Sequence, residues 1–166
     1  MVERLVHMLL DLMSGIQMKE LVVFVISLIP TIELRGGIIA GYLLGIPWLR
    51  NFIVAIIANV LPVPFILFFV KKVLNFMRKH NILVKFVDWI EERGKKKSSE
   101  VTKYEVFGLM LFVAIPLPGT GAWTGSLVAA LLEMDIKKAM ISVFCGVLIA
   151  GFIMTVLSYG LLDLIL

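Results

Sequence analysis

The stretch Val113-Ala-Ile-Pro116-Leu-Pro118-Gly119-Thr120-Gly121-Ala-Trp123-Thr124-Gly125 lies in the middle of a run, Val106 to Leu132, that carries no charge. The run is long enough to cross a bilayer as a helix, yet no helix passes smoothly through its centre. Pro116 and Pro118 withhold backbone N–H groups and the glycines disfavour helix. The ten residues Val106 to Ile115 rise about 15 Å as a helix, half the hydrocarbon thickness. A second stretch, Leu21 to Leu49, has the same character. It contains Pro30, Glu33, Arg35, Gly36, Gly37, Gly41, Gly45 and Pro47, and its uninterrupted part, Leu21 to Pro30, is again ten residues. Both predict a half-helix, a break at mid-membrane and a second half-helix.

Composition sets the surroundings. Of 166 residues, 60% are apolar and 17% charged, and the mean hydropathy is +1.02. A soluble domain is about half apolar and a quarter charged. Sixteen Lys/Arg and twelve Asp/Glu are too few for a disordered or nucleic-acid-coating chain. The one cysteine, Cys145, excludes a disulfide framework and a cysteine zinc site. These numbers predict a single all-α integral membrane domain, residues 1–166. It is too short to enclose a wide pore alone, so a homo-oligomer such as a dimer is expected, with the bilayer as its main partner and no nucleic acid. Asn51–Val70 and Ala139–Leu162 are charge-free and long enough to span, the first kinked by Pro62 and Pro64. The N-terminus is interrupted by Glu3, Arg4 and Asp11, too often for a signal-peptide core. Residues 1–19 alternate polar and apolar faces and suit a helix lying on the membrane surface.

The chain repeats itself. Pro116 follows Pro30 by 86 residues, Gly125 follows Gly37 by 88, and Lys138 follows Arg50 by 88. Repeat one is placed at 20–70 and repeat two at 105–166. Each is a broken segment, a short polar turn and one spanning helix. Paired broken helices point to a transporter's binding site.

Between the repeats, residues 71–104 form a basic linker. Ten of the sixteen Lys/Arg fall in 71–103, against four acids. That loop is expected in the cytoplasm by the positive-inside bias, and in a multi-pass protein of the cell membrane. Ile82, Leu83, Phe86, Trp89 and Ile90 keep helical spacing opposite charged residues and predict an amphipathic helix there. Two topologies fit these charges. Either both broken segments turn back as re-entrant hairpins, which makes the repeats inverted, or all four segments cross. The hairpins are preferred, because each break falls half-way through the membrane.

Glu33 and Arg35 are the charges inside an apolar stretch, each costing about 2.5–3.5 kcal/mol at the bilayer centre. Two readings stand. In one they are a structural pair, each neutralising the other. In the other they are functional: Glu33 carries a proton, since burial favours the neutral carboxyl, and Arg35 grips an anionic group. At spacing i, i+2 they point apart on a regular helix. Pro30 and the Pro116–Gly125 break complete the candidate site. Pro116 and Pro118 stop the incoming half-helix, and Gly119 and Gly121 let the backbone turn. Thr120 and Thr124 add hydroxyls, Trp123 an apolar wall, and the next half-helix a positive end suited to an anionic headgroup. The alternative is a tight turn whose threonines bond their own backbone. No cofactor or metal site is expected, and no nucleophile–base pair suggests an enzyme.

Ile29-Pro-Thr-Ile-Glu33-Leu-Arg35-Gly-Gly-Ile38 and Val113 to Gly125 resemble the two signature stretches of the small multidrug export protein family. That family is similar to the wider DedA/VTT superfamily. The resemblance implies two re-entrant hairpins facing each other across the membrane, and proton-dependent transport or movement of phospholipids and polyprenyl phosphates. It implies that Glu33 takes the place of the first-hairpin acid and Pro116–Gly121 that of the second-hairpin turn. DedA proteins carry arginines in that second motif, whereas this sequence has none after Arg93. The expected function is a proton-coupled secondary transporter of a small amphiphilic or anionic substrate. A lipid flippase or scramblase and a small membrane assembly subunit are the alternatives.

Overall fold

The computed structural model describes residues 18–79, 99–117 and 119–161. The surface helix expected over 1–19 lies almost wholly outside these residues. The amphipathic helix of the basic linker and Pro118 lie outside them entirely.

Among the described residues the chain is helical throughout. α1 (Met18–Leu28) stops where Pro30 removes an N–H and pushes Ile29 away from helical geometry. A short turn follows, closed by Ile32 and Glu33 N–H groups on the Ile29 carbonyl. Glu33, at φ 54, sits in the left-handed region and redirects the chain. It opens α2 (Glu33–Leu43). That helix ends in a Schellman arrangement, with Gly45 N–H on Tyr42 O and Ile46 N–H on Gly41 O. α3 (Trp48–Val60) and α4 (Pro62–Lys79) are separated only by Leu61, which keeps helical torsions. Pro62 therefore interrupts one long rod rather than ending it. α4 continues past residue 70 into the stretch expected as linker.

The second half runs the same way. α5 (Ser99–Ala114) starts earlier than the apolar run alone suggested and ends just before Pro116. α6 (Ala122–Leu131) closes with its own Schellman pair, Glu133 N–H on Ala130 O and Met134 N–H on Ala129 O. Glu133, in the left-handed region at φ 55, stands 88 residues after Gly45. α7 (Ile136–Thr155) is capped by the Asp135 carboxylate, which accepts the Lys137 and Lys138 N–H groups at 3.1 Å. It passes into a π-helical turn, Val156–Leu161.

Among the described residues two stretches are long and apolar enough to cross a membrane, Trp48–Val70 and Ile136–Gly160. The outward faces agree: Phe65, Phe68, Phe69 and Phe152 are exposed, an exterior suited to hydrocarbon rather than water. The half-length helices lie against these rods. Lys19 at the start of α1 donates to Leu44 O at the end of α2, at 2.9 Å. The two helices thus lie side by side, with the chain doubling back between them. Gly37 makes this possible, because a side chain there would meet Ser27 and the Val23 carbonyl. Gly125 on α6 plays the same part against Val113 and Leu109 of α5. α7 is the hub, packing on α5, α3, α6, α2 and α4. Gly146 admits α5 and Gly151 admits Phe52 and Ile56 of α3.

Candidate functional site

The two breaks meet. Arg35, in the first turn of α2, reaches across to the second break. Its Nη2 donates to Ile115 O at 3.2 Å, to Thr120 Oγ1 at 3.0 Å and to Thr120 O. The Thr120 hydroxyl lies 2.7 Å from Ile115 O and 2.9 Å from Leu117 O, and donates its one proton within that pair. Thr120 therefore folds the break on itself and also accepts from Arg35. Glu33 reaches the other side of the same break. Its Oε1 accepts the Trp123 N–H at 3.2 Å, in the first turn of α6. Its side chain is buried, with only 3% of the residue exposed.

The polarity of this arrangement has a simple cause. A helix C-terminus presents unpaired carbonyls and a negative dipole end, and an N-terminus presents N–H groups and a positive one. Arg35 holds the carbonyls that follow α5, and Glu33 holds the N–H at the start of α6. The i, i+2 spacing that separates the two side chains on α2 lets each reach a different helix end. They form no direct ion pair with each other.

The remaining expected site residues fall around this junction in different ways. Gly121 is buried and its α-carbon abuts Glu33, so any side chain there would run into the carboxylate. It was expected to permit a tight turn. Its backbone, at φ 158 and ψ −167, takes torsions that residues with a side chain rarely adopt, and its missing side chain also leaves room for Glu33. Gly119, at φ 83, does take the left-handed torsion. Trp123 and Thr124 are half-buried in the first turn of α6, and Pro116 is half-buried where α5 stops. Pro30 is exposed at the outer side of its turn. Three buried polar atoms at the junction have no hydrogen-bond partner: Glu33 Oε2, Arg35 Nε and Trp123 Nε1.

The span covered by a family description begins at this acid. The family model described as "Putative small multi-drug export protein" matches residues 33–153. The chain belongs to that family. Neither a curated protein nor a solved structure matches it. The export-family span takes in both breaks' contacts, α3 and nearly all of α7.

A second polar cluster, which sequence reasoning missed, begins within this span and ends beyond it. Asn51, fully buried on α3, donates through Nδ2 to Ile38 O at 2.7 Å and to Tyr159 Oη at 2.8 Å. Tyr159 in turn donates to Ile46 O at 2.7 Å, and Tyr42 meets its ring edge-on at 5.1 Å. This ties the far end of α2 to the π-helical turn. Gly41 leaves the space that Asn51 fills. Asn59, also on α3, is buried with no partner for either amide atom among the described residues.

Proposed function

We propose that this member of the export family is a proton-coupled secondary transporter of a small amphiphilic or anionic substrate. In this reading the two broken segments are re-entrant hairpins of inverted repeats, entering from opposite membrane faces. They meet at mid-membrane as the DedA/VTT resemblance implies. The protein is a multi-pass homodimer in the cell membrane, its 71–103 loop cytoplasmic. The observation that carries the proposal is the cross-wired junction. A buried carboxylate and a guanidinium from one break hold the two helix ends of the other. Intramembrane charges are expensive, and breaking this junction exchanges one set of partners for another, as a carrier site must. Doubling back of both segments and the shared 88-residue spacing of the helix ends at Gly45 and Glu133 support the repeat. Glu33 is assigned the proton and Arg35 the anionic group, with Thr120, Gly121, Trp123 and Thr124 around them. Nothing in this reading requires an enzyme.

The test is flux in proteoliposomes holding a pH gradient, with hexanesulfonate and hexyltrimethylammonium as probes and an internal pH dye as readout. Wild-type protein moves protons on addition of a probe. Glu33→Gln abolishes that movement while eluting and melting as the wild type does. Proton movement unchanged in the variant sinks the assignment. Movement of labelled lipid with no pH gradient would replace the carrier by a scramblase.

A further inference from the structure

The place an anion would take at the junction is already filled by one tethered to the chain. The Trp123 N–H at the start of α6 holds the Glu33 carboxylate, so the junction demonstrably seats a carboxyl group. Around it the polar balance favours donors. On the three residues that make these contacts, the donors Arg35 Nε and Trp123 Nε1 are buried with no acceptor, and the acceptor Glu33 Oε2 is buried with no donor. Buried donors without partners are unfavourable, and a ligand oxygen would satisfy them. An incoming anion and a charged Glu33 cannot share this space, because like charges at contact distance repel strongly where water is excluded. A protonated Glu33 is neutral and removes that repulsion.

We infer that the junction binds the anionic group of a small amphiphilic acid in place of the Glu33 carboxylate, with a proton taken up by Glu33, so that anion and proton bind and travel together. This deepens the transport reading and rests on it. Linkage makes the coupling reciprocal: whatever the proton does for the anion, the anion does for the proton. The charge also balances. The empty junction holds one carboxylate and one guanidinium. The loaded one holds a neutral carboxyl, the guanidinium and the ligand anion. The loaded and empty forms carry the same net charge, so the step is electroneutral. Export then follows the accumulation of the acid inside the cell, each anion leaving with its proton.

Arg35 is the charged group that acts on Glu33 through space. The other titratable groups on the elements packed against α2 are occupied or placed elsewhere. Lys19 holds Leu44 O, Glu20 pairs with Arg50 at 3.8 Å, and Tyr159 is bonded to Asn51 and Ile46. Lys137 and Lys138 lie exposed in the first turn of α7, at the opposite end from Tyr159.

Trp123 reports on its own site. A Trp48→Phe, Trp89→Phe protein keeps it as the single tryptophan. Its emission is followed while hexanesulfonate, whose charge does not titrate, is added at a series of pH values. The expected affinity rises about tenfold for each pH unit lowered while Glu33 is charged, one proton entering per anion. Glu33→Gln, which keeps an oxygen for the Trp123 N–H, binds hexanesulfonate with no pH slope. Equilibrium dialysis of the same probe against unsubstituted protein gives the slope without any variant. An affinity flat with pH overturns the coupling. Binding of hexyltrimethylammonium that weakens on acidification also overturns it, yet leaves the transporter standing as a carrier that exchanges a cation for protons. A folded protein that responds to neither probe removes both the coupling and the proposed binding site.

Discussion

Gly121 and Glu33 share a space that only one side chain can occupy. A methyl group at Gly121 lands on the carboxylate, so Gly121→Ala forces Glu33 away from the Trp123 N–H. The freed N–H stays buried, and the expected loss of stability is about 1–3 kcal/mol. The clash depends on the carboxylate being present. In a Glu33→Ala background the clash is gone and only the strain of a side chain at φ 158 remains, so the same Gly121→Ala substitution costs less, and the double-mutant cycle reads the clash as the coupling energy. Thermal melting of the four proteins in one detergent checks this. Equal costs in both backgrounds would mean that Gly121 serves the backbone and not the acid. The residue types at this junction were legible in the sequence, because proline, glycine and isolated charges stand out in an apolar run. Their pairing was not. The second use of Gly121, room for the Glu33 carboxylate, was not legible, because close approach and unusual torsion both select glycine and a sequence does not distinguish them.

Helix ends were the most legible elements, since their causes are local. Pro30 ends α1, Pro116 ends α5 and Pro62 interrupts the rod between α3 and α4, each by lacking an N–H. The matched ends of α2 and α6 were legible too, through the spacing of Gly37 with Gly125. The early start of α5 at Ser99 was hidden, because polar residues carry that part of the helix beyond the apolar run. The tie between α3 and the π-helical turn was hidden for a different reason. Asn51 and Tyr159 lie 108 residues apart, and their meeting depends on the register of α7 and on one extra residue in its last turn. Tyr159 is both acceptor and donor there. Tyr159→Phe strands the Ile46 carbonyl and takes one acceptor from Asn51, which keeps Ile38 O. The expected cost is about 1–3 kcal/mol. Hydrogen exchange should also quicken at Ile46 and the end of α2, while the Trp123 N–H stays protected. Faster exchange at both ends together would show that the tie supports the whole of α2 rather than its far end.

At the scale of the molecule the question is how many times the chain crosses the bilayer. Trp48–Val70 and Ile136–Gly160 have the length to cross. α6 does not: ten residues rise about 15 Å against a core of about 30 Å. It could contribute to a crossing only by continuing the direction of α5. The contacts oppose that, because Gly125 of α6 seats Val113 and Leu109 of α5, and residues in line along one axis could not touch so. If the basic 71–103 loop is cytoplasmic, as its ten Lys/Arg suggest, the second broken segment returns to the side it left and only α7 crosses after it. The C-terminus then lies outside the cell. Fusions of Leu166 to alkaline phosphatase and to green fluorescent protein distinguish the cases, since the first is active outside and the second fluoresces inside. Phosphatase activity with no fluorescence is the expected pair. Fluorescence alone would mean that α5 and α6 together cross. In that case Arg35 and Glu33 would still hold the two helix ends, but from within a bundle of crossing helices. The charged pair would then be a structural tie, and the mid-membrane carrier site would fall.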